Sequence, residues 1–419
     1  MIREELMDNV YLTYVPSRKF KTGLLSAQMV APLRRETASL NALLVNVLSQ
    51  GTVNCPDMAA LSARLDQLYG AEVIPTVRKK GENQAFGFVA SCVDERFLPQ
   101  PERLLEPLSD LLGEMFCHPV TRNGRLSGEY TAREKENLAD LIRGEINDKR
   151  SYASRRLIAE MCREEPYGVS RLGEARDVER ISLQRLNAHY KTILPQARLE
   201  LFYCGSGERS RVAGMLRRAF ASLPRQGGIE PAPTLRRPAR ERPKLVEEEM
   251  DVAQSRLCLG FRLEGEDPAA AMVMNAMFGG SGGSKLFMNV REKLSLCYYA
   301  SSAYHRRKGL VTVSAGIRAG DYQRALDEIL AQLDAMGRGD WTDRELDDAR
   351  RALLSGLRSM EDDPGSLEDF AVGRAAGGSD ETVAGLMTAL EAVTAQDVQE
   401  AARALRLDTI YFLKGEDTP

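Results

Sequence analysis

The stretch SLNALLVNVLSQGT, residues 39–52, holds the pattern on which the fold prediction is built. Its apolar residues recur at i, i+3, i+4, i+7 and i+8, which is typical of an α-helix with one buried face. A second face of the same helix carries only small or uncharged side chains, since residues three and four apart are neighbours on a helix. These second-face residues are Ala42, Val45, Asn46 and Ser49. We therefore predict a core helix that ends at Gly51.

The order of elements that begins with this helix occurs twice in the chain, which indicates an internal repeat. In the first half, the helix at 39–50 is followed by helical MAALSARLDQLYG and by strand-like NQAFGFVASCV (83–93). In the second half, AAAMVMNAMF ends in GGSGG and is followed by helical SKLFMNVREKL and by strand-like KGLVTVSAGI (308–317). Both halves then carry a long helix, predicted at roughly 129–163 and 342–360, and close on a β-rich segment.

The repeat predicts two homologous α+β domains, because the strands are joined by hairpins or long helical excursions rather than by regular βαβ units. We expect an N-terminal domain at 1–222, a proline-rich linker at 223–245 and a C-terminal domain at 246–419. Each domain should be a mainly antiparallel sheet with helices packed on one face, and the two should enclose a cleft. The basic cluster RRPARERPK (236–244) is interpreted as a solvated part of the linker.

Composition narrows the class of protein. The 419 residues are 43% hydrophobic and 28% charged, with a formal charge of −3, which describes a globular protein without a general attraction to nucleic acid or anionic membrane. The seven cysteines are widely spaced, so neither a disulfide framework nor a CxxC zinc site is indicated. The N-terminus does not resemble a signal peptide and no apolar stretch is long enough to span a bilayer, so we expect a cytoplasmic protein.

Two motifs in the second half could carry chemistry. The stretch GGSGGSKLF (279–287) fits neither the Walker pattern nor the dinucleotide pattern, so a tight helix connection is favoured over a nucleotide site. Downstream, Arg291 and Tyr298 could hold a peptide carbonyl and donate to a developing oxyanion. The alternative is structural, with Arg291 paired to Glu292 and Tyr298 packed on a sheet.

Together these features resemble the insulinase/pitrilysin family, which includes the mitochondrial processing peptidases, over nearly the whole chain. The resemblance is carried by LSQGT, LDQLYGAEV, EPYG (165–168) followed by Gly173, and GGSGGSKLFMNVREKLSLCYY. It implies a fold of two LuxS/MPP-like metallohydrolase domains. In active members an H-x-x-E-H helix supplies two zinc ligands and a general base, and a later helix supplies a third ligand, a glutamate. Anchoring on the Gly-Thr pair places Ala42 and Asn46 at the two histidines and Val45 at the glutamate.

The resemblance thus implies a catalytically silent bacterial member with a degenerate zinc motif. The third ligand would come from the helix around 134–146, where no single residue can be named. The second-half pattern matches the family: Arg291 and Tyr298 for substrate binding and transition-state support, and a glycine loop. The loop glycines are Gly279, Gly280, Gly282 and Gly283.

The function that follows is a non-catalytic subunit without a cofactor. It would form a heterodimer with an active H-x-x-E-H paralogue, which holds the zinc, and would bind an extended peptide by strand addition at a sheet edge. In isolation a homodimer is an alternative assembly. A structural or peptide-binding scaffold with no role in proteolysis is the alternative function, and an independent enzyme with another nucleophile is least favoured, since no Ser, Cys or Lys has an evident base.

Overall fold

The computed structural model of the chain describes residues 1–265 and 267–415. The strands within these ranges are β1 (Ile2–Met7), β2 (Val10–Pro16), β3 (Thr22–Pro32), β4 (Glu72–Lys80), β5 (Asn83–Val93), β6 (Thr121–Arg122), β7 (Arg125–Leu126), β8 (Arg198–Gly205), β9 (Lys244–Glu249), β10 (Ser255–Leu263), β11 (Tyr299–His305), β12 (Leu310–Ile317) and β13 (Leu405–Lys414). The α-helices are α1 (Arg35–Leu48), α2 (Met58–Gln67), α3 (Leu105–Cys117), α4 (Gly128–Gly144), α5 (Lys149–Met161), α6 (Ala175–Glu179), α7 (Leu183–Gln196), α8 (Arg209–Ala219), α9 (Pro268–Asn275), α10 (Tyr322–Arg338), α11 (Asp343–Met360), α12 (Pro364–Ala376), α13 (Val383–Ala392) and α14 (Ala395–Arg403). Two π-helical segments, Ala276–Gly280 and Leu286–Lys293, follow α9.

The two large sheets have the same topology. The first has the order β1-β2-β8-β3-β5-β4 and the second the order β11-β12-β10-β13-β9. From the opposite end, the second order matches β2-β8-β3-β5-β4 strand for strand, and β1 is an addition at the edge. Each sheet has one parallel pair, β2 with β8 and β13 with β9, and the other pairs are antiparallel. The predicted α+β repeat with mainly antiparallel sheets is confirmed.

The chain forms two compact units that are not contiguous halves. The first unit comprises Met1–Gly144, Val169–Pro233 and Asp363–Asp380, and the second comprises Glu145–Gly168, Thr234–Asp362 and the described residues from Glu381 onward. These units differ from the predicted domains at 1–222 and 246–419, because α5 belongs with the second sheet and α12 with the first. The predicted helix at 129–163 is in fact two helices, α4 in the first unit and α5 in the second. Helix α4 ends at Gly144, and Asp148 caps α5 by accepting from the Ser151 N–H at 3.1 Å.

The pattern of side chains on β3 explains why the first sheet accepts a helix on each face. Alternate residues of a strand point to opposite faces, and one set, including Leu25 and Met29, joins the main core with α1 and α3. The other set meets α12: Ser26 Oγ donates to Glu368 at 2.7 Å, and Val30 packs against Val372. The helices were predicted on one face only, and α12 adds a helix on the other.

Most residues of the basic cluster at 236–244 are exposed to solvent, as the interpretation of this cluster expects. The structure divides the units between Pro233 and Thr234, and the basic cluster at 236–244 lies with the second unit. Three of its five cations form ion pairs there: Lys244 Nζ lies 2.7 Å from Glu160 Oε2, Arg240 pairs with Asp408, and Arg237 pairs with Glu164. The acids that pair with Lys244 and Arg240 belong to α5 and β13, which are distant in sequence, and the absence of a nucleic-acid site here stays a prediction.

Candidate functional site

The helix α1 places the degenerate zinc-motif positions in the packed interior of the first unit. Ala42 is 1% exposed and Val45 is fully buried, while Asn46 is half-buried near the end of the helix. Two of these three side chains are hydrocarbon, so they supply neither a metal ligand nor a general base. Ala42 and Val45 therefore serve packing, and their assignment to the zinc motif stays a prediction.

The Gly-Thr pair that anchors this assignment has a structural role of its own. A Cβ at Gly51 would lie 2.6 Å from the Cys55 carbonyl oxygen, so the chain passes too closely for any other residue. Thr52 Oγ1 donates to Glu114 Oε2 at 3.0 Å, and Arg64 pairs with the same carboxylate at 3.1 Å. The Gly-Thr pair thus helps to connect α1 with α3, and this structural role does not depend on catalysis.

The helix α4 packs against α1 but brings no complete ligand set to it. Its buried carboxylate is Glu134, which accepts from Arg133 Nε at 3.4 Å and from Asn137 Nδ2 at 3.2 Å. Within residues 1–265 and 267–415, no three His, Cys, Asp or Glu side chains are grouped so that they could hold a metal ion. The residues present do not fit the zinc site of the active enzymes.

A series of buried side-chain hydrogen bonds that begins on α1 was not predicted from the sequence. Asn41 is fully buried, its Nδ2 donates to Gln84 Oε1 at 2.7 Å, and its Oδ1 lies 2.6 Å from His189 Nε2. Gln84 Nε2 in turn donates to the Arg171 carbonyl at 2.6 Å. Because an amide oxygen only accepts, His189 Nε2 is the donor to Asn41 Oδ1. Burial lowers the pKa of His189 to about 4, so the ring is neutral at neutral pH.

The four loop glycines fall into two pairs in the second unit. A Cβ at Gly279 would lie 2.7 Å from Ser302 Oγ, and one at Gly280 would lie 2.8 Å from Asn275 Nδ2, so both positions need a bare backbone. Gly282 and Gly283 have nothing within 4 Å of such a Cβ and no left-handed φ, so neither space nor backbone conformation requires glycine at these two positions. The loop joins two π-helical segments, which differs from the strand–loop–helix geometry of a phosphate loop.

Arg291 and Tyr298 lie on one short segment of the second unit, and both side chains reach solvent. Arg291 is on the second π-helical segment, its side chain is 40% exposed, and its guanidinium lies 4.7 Å from the Phe287 ring centroid. Tyr298 is 67% exposed and directly precedes β11, where its N–H donates to the Gly316 carbonyl at 2.9 Å. The structure thus keeps one cation and one phenol accessible beside an outermost strand of the second sheet.

The contacts of Arg291 bear on whether Arg291 and Tyr298 bind substrate or serve a structural role. Arg291 Nε lies 3.5 Å from Glu292 Oε1, which is the ion pair that the structural alternative requires. Both groups are substantially exposed, so the pair is weak and a substrate could displace it. Burial raises the pKa of the neighbouring Cys297 thiol to about 11, so the thiol stays protonated and is a poor nucleophile at neutral pH.

Comparisons with known proteins bear on the family and the fold of this chain. A family model described as the Peptidase M16 inactive domain matches residues 180–353. The chain is 33% identical over 407 residues to the "Probable inactive metalloprotease YmfF" of Bacillus subtilis, covering 96% of this chain and 95% of the relative. Among solved structures, a conserved protein from Enterococcus faecalis superposes with a TM-score of 0.91 at 28% identity, covering 100% of this chain and 99% of the other.

A more distant structure supports the fold alone. The peptidase M16 inactive domain from Pseudomonas fluorescens superposes with a TM-score of 0.79 at 19% identity and covers 100% of this chain and 99% of that chain. For the residues that the structure describes, no helix has both the length and the apolar character needed to cross a membrane.

Proposed function

The chain belongs to the insulinase/pitrilysin family of M16 peptidases as an inactive member, and from this premise we propose that it is the zinc-less subunit of a two-subunit peptidase. The partner is an H-x-x-E-H paralogue that holds the zinc. This chain contributes peptide binding and transition-state support, and is inactive alone. We place the complex in the cytoplasm, with no nucleic acid or membrane partner.

The observation that carries the proposal is a contrast between two sets of positions. Ala42 and Val45, at the zinc-motif positions, are buried hydrocarbon. Arg291 and Tyr298, at the substrate-binding positions, are solvent-accessible. Tyr298 exposes two thirds of its surface, so its phenol can reach a substrate.

The chemistry of the pair suits an amide substrate. A guanidinium offers several N–H donors to the carbonyl groups of an extended peptide. A phenol that donates to the oxyanion of a tetrahedral intermediate stabilises the transition state more than the ground state. The outermost strand β11, which begins at Tyr299, provides a backbone edge for strand addition by the peptide.

The alternative is a structural or peptide-binding scaffold with no role in proteolysis. The contact between Arg291 and Glu292 favours it, because an internal ion pair could be all that Arg291 provides. In that case the partner's activity would not depend on this chain, and a homodimer of the isolated chain would be a sufficient assembly.

Co-expression with an H-x-x-E-H paralogue from the same genome separates the two functions. The complex should be purified through a tag on one subunit, and cleavage of a quenched fluorescent peptide library measured for the complex and for each subunit. We expect cleavage by the complex and none by this chain alone. A paralogue that is fully active alone would support the scaffold function instead.

A further inference from the structure

Residues 286–298 of the second unit, which we call the 286–298 segment, expose bulky apolar side chains on the same short stretch of chain as Arg291 and Tyr298. Met288 is 49% exposed, Leu294 is 41% exposed and Tyr298 is 67% exposed. Leu286 and Val290, on the inward side of the same helix, are fully buried. The segment is therefore amphipathic, and its outer side mixes these three exposed side chains with the charged residues Arg291, Glu292 and Lys293.

The backbone of this segment is held in an uncommon conformation. Leu286–Lys293 is π-helical, and such turns are rare and often occur at functional sites. Ser295 follows in the left-handed region at φ +51°, which a non-glycine residue adopts only when its surroundings impose it. Buried Leu296 and Cys297 anchor one end, and Asn289 Nδ2 anchors the helix to Gln332 Oε1 at 2.6 Å. The backbone that carries the outward side chains is thus held by contacts within the unit.

The segment carries two cations, Arg291 and Lys293. Arg291 pairs with Glu292, whereas for Lys293 the described part of the chain provides no ion pair. Glu292 is the one acid between Leu286 and Tyr298. Partners that match this surface carry apolar side chains together with carboxylates.

We propose that the 286–298 segment is a docking surface for an extended peptide that carries bulky apolar side chains and acidic residues. The proposal rests on the proposed function, in which Arg291 and Tyr298 hold the peptide backbone, and names the class of peptide that the site selects. Apolar side chains of the peptide cover Met288 and Leu294, and a carboxylate lies beside Lys293. The fixed backbone lowers the loss of conformational entropy on binding.

Binding is measured with the purified full-length chain by fluorescence anisotropy. The probe is a fluorescein-labelled nine-residue peptide with leucine at alternate positions and two glutamates between them. One comparison peptide replaces the leucines by serine, and another replaces the glutamates by lysine. We expect the first peptide to bind most tightly, because it alone matches both the apolar side chains and the cations.

Two variants and one matched control test the surface. Met288→Ser and Leu294→Ser should each raise the Kd of the leucine–glutamate peptide on the order of 3- to 10-fold, since each removes half-exposed apolar area. Met58→Ser changes a methionine of nearly equal exposure, 48%, in the first unit and should leave Kd unchanged. Equal Kd for the three peptides, or an equal loss in the Met58 variant, would overturn the proposal.

Self-association is measured by sedimentation in the same samples. A wild-type dimer that Met288→Ser converts to a monomer without affecting peptide binding would assign the surface to a second copy and overturn the proposal. The test also stands apart from that of the proposed function. If the peptide binds as expected but the paralogue is fully active without this chain, the docking surface holds and the role in proteolysis fails.

Discussion

The substitution Glu165→Gln should destabilise the second unit strongly, because Glu165 is the carboxylate that two buried cations share. Its Oε1 lies 2.6 Å from Arg262 Nη2, and its Oε2 lies 2.6 Å from Lys308 Nζ. The side chains are 2%, 5% and 0% exposed, respectively. Burial by itself raises the pKa of Glu165, but the hydrogen bonds and charges of Arg262 and Lys308 outweigh it, so the pKa lies below its ordinary value.

The size of the destabilisation by Glu165→Gln depends on the buried cations that lose their counter-ion. Glutamine keeps an oxygen that can accept one hydrogen bond, but it leaves a buried positive charge without its counter-ion. Removing one partner of a buried pair typically costs about 3–5 kcal/mol, and Arg262 retains Asp408, 3.0 Å from its Nε. We therefore expect the free energy of unfolding to fall by about 3 kcal/mol, at the lower end of that range.

The adjacent residue provides the control. Glu164 is 83% exposed and pairs with Arg237 at 3.2 Å, so Glu164→Gln should change the free energy of unfolding by less than about 0.5 kcal/mol. Urea unfolding measures the two values. Hydrogen exchange should also show lost protection in α5, β10 and β12 of the Glu165 variant, and unchanged protection in the first sheet and α12. Equal stability of the two variants would refute this account of how residues 145–168 are held.

Three further predictions concern the first unit. Burial lowers the pKa of His189 to about 4, so the unfolded chain, with a pKa near 6.5, binds more protons between these values, and stability falls as pH drops through this window. Between pH 7 and 4.5, the free energy of unfolding in urea should fall by about 2 kcal/mol less for His189→Gln than for the wild type. Identical pH profiles of this free energy for the two proteins would contradict the prediction. Gly173→Ala should lower the thermal unfolding midpoint much more than Gly70→Ala. Both glycines have a left-handed φ, +74° and +71°, but only at Gly173 would a Cβ lie 1.9 Å from Ser39 Oγ. Equal decreases in the two midpoints would refute the clash. Metal analysis of the dialysed, untagged chain should find far less than one zinc per chain, and a value near one would end the degenerate-site interpretation of residues 39–52.

The repeated fold could be predicted because its signals are local. Helical spacing at 39–50, the turn glycines and the strand-like stretches each depend on neighbours in sequence, and they recur in the same order. The exchange of α5 and α12 could not be predicted in this way. It depends on contacts between residues far apart in sequence, such as Glu368 with Arg78 Nη2 at 2.7 Å. One local signal was available, because Asp148 is a good N-cap in the middle of the predicted helix at 129–163.

Some features of the candidate site could likewise be predicted from the sequence and others could not. Arg291, Tyr298 and the glycines were located by their spacing and by the family resemblance, and their roles remain predictions. The π-helical backbone and the left-handed Ser295 leave no pattern in sequence, because packing imposes them. The buried chain of His189, Asn41 and Gln84 was missed for a similar reason. A lone asparagine beside an apolar stripe gives no sign that it is fully enclosed.

The central claim is that this chain supports catalysis by a zinc-bearing partner through Arg291 and Tyr298. The most direct test is peptide-cleavage kinetics of the co-expressed complex, with wild-type chain, Arg291→Ala or Tyr298→Phe, after sedimentation confirms that each complex has formed. We predict that kcat falls on the order of 10²–10³-fold for Tyr298→Phe, since a donor to the oxyanion acts mainly in the transition state. Arg291→Ala should lower kcat and also raise KM, because it holds bound substrate. Unchanged kcat and KM in both confirmed complexes would contradict the claim.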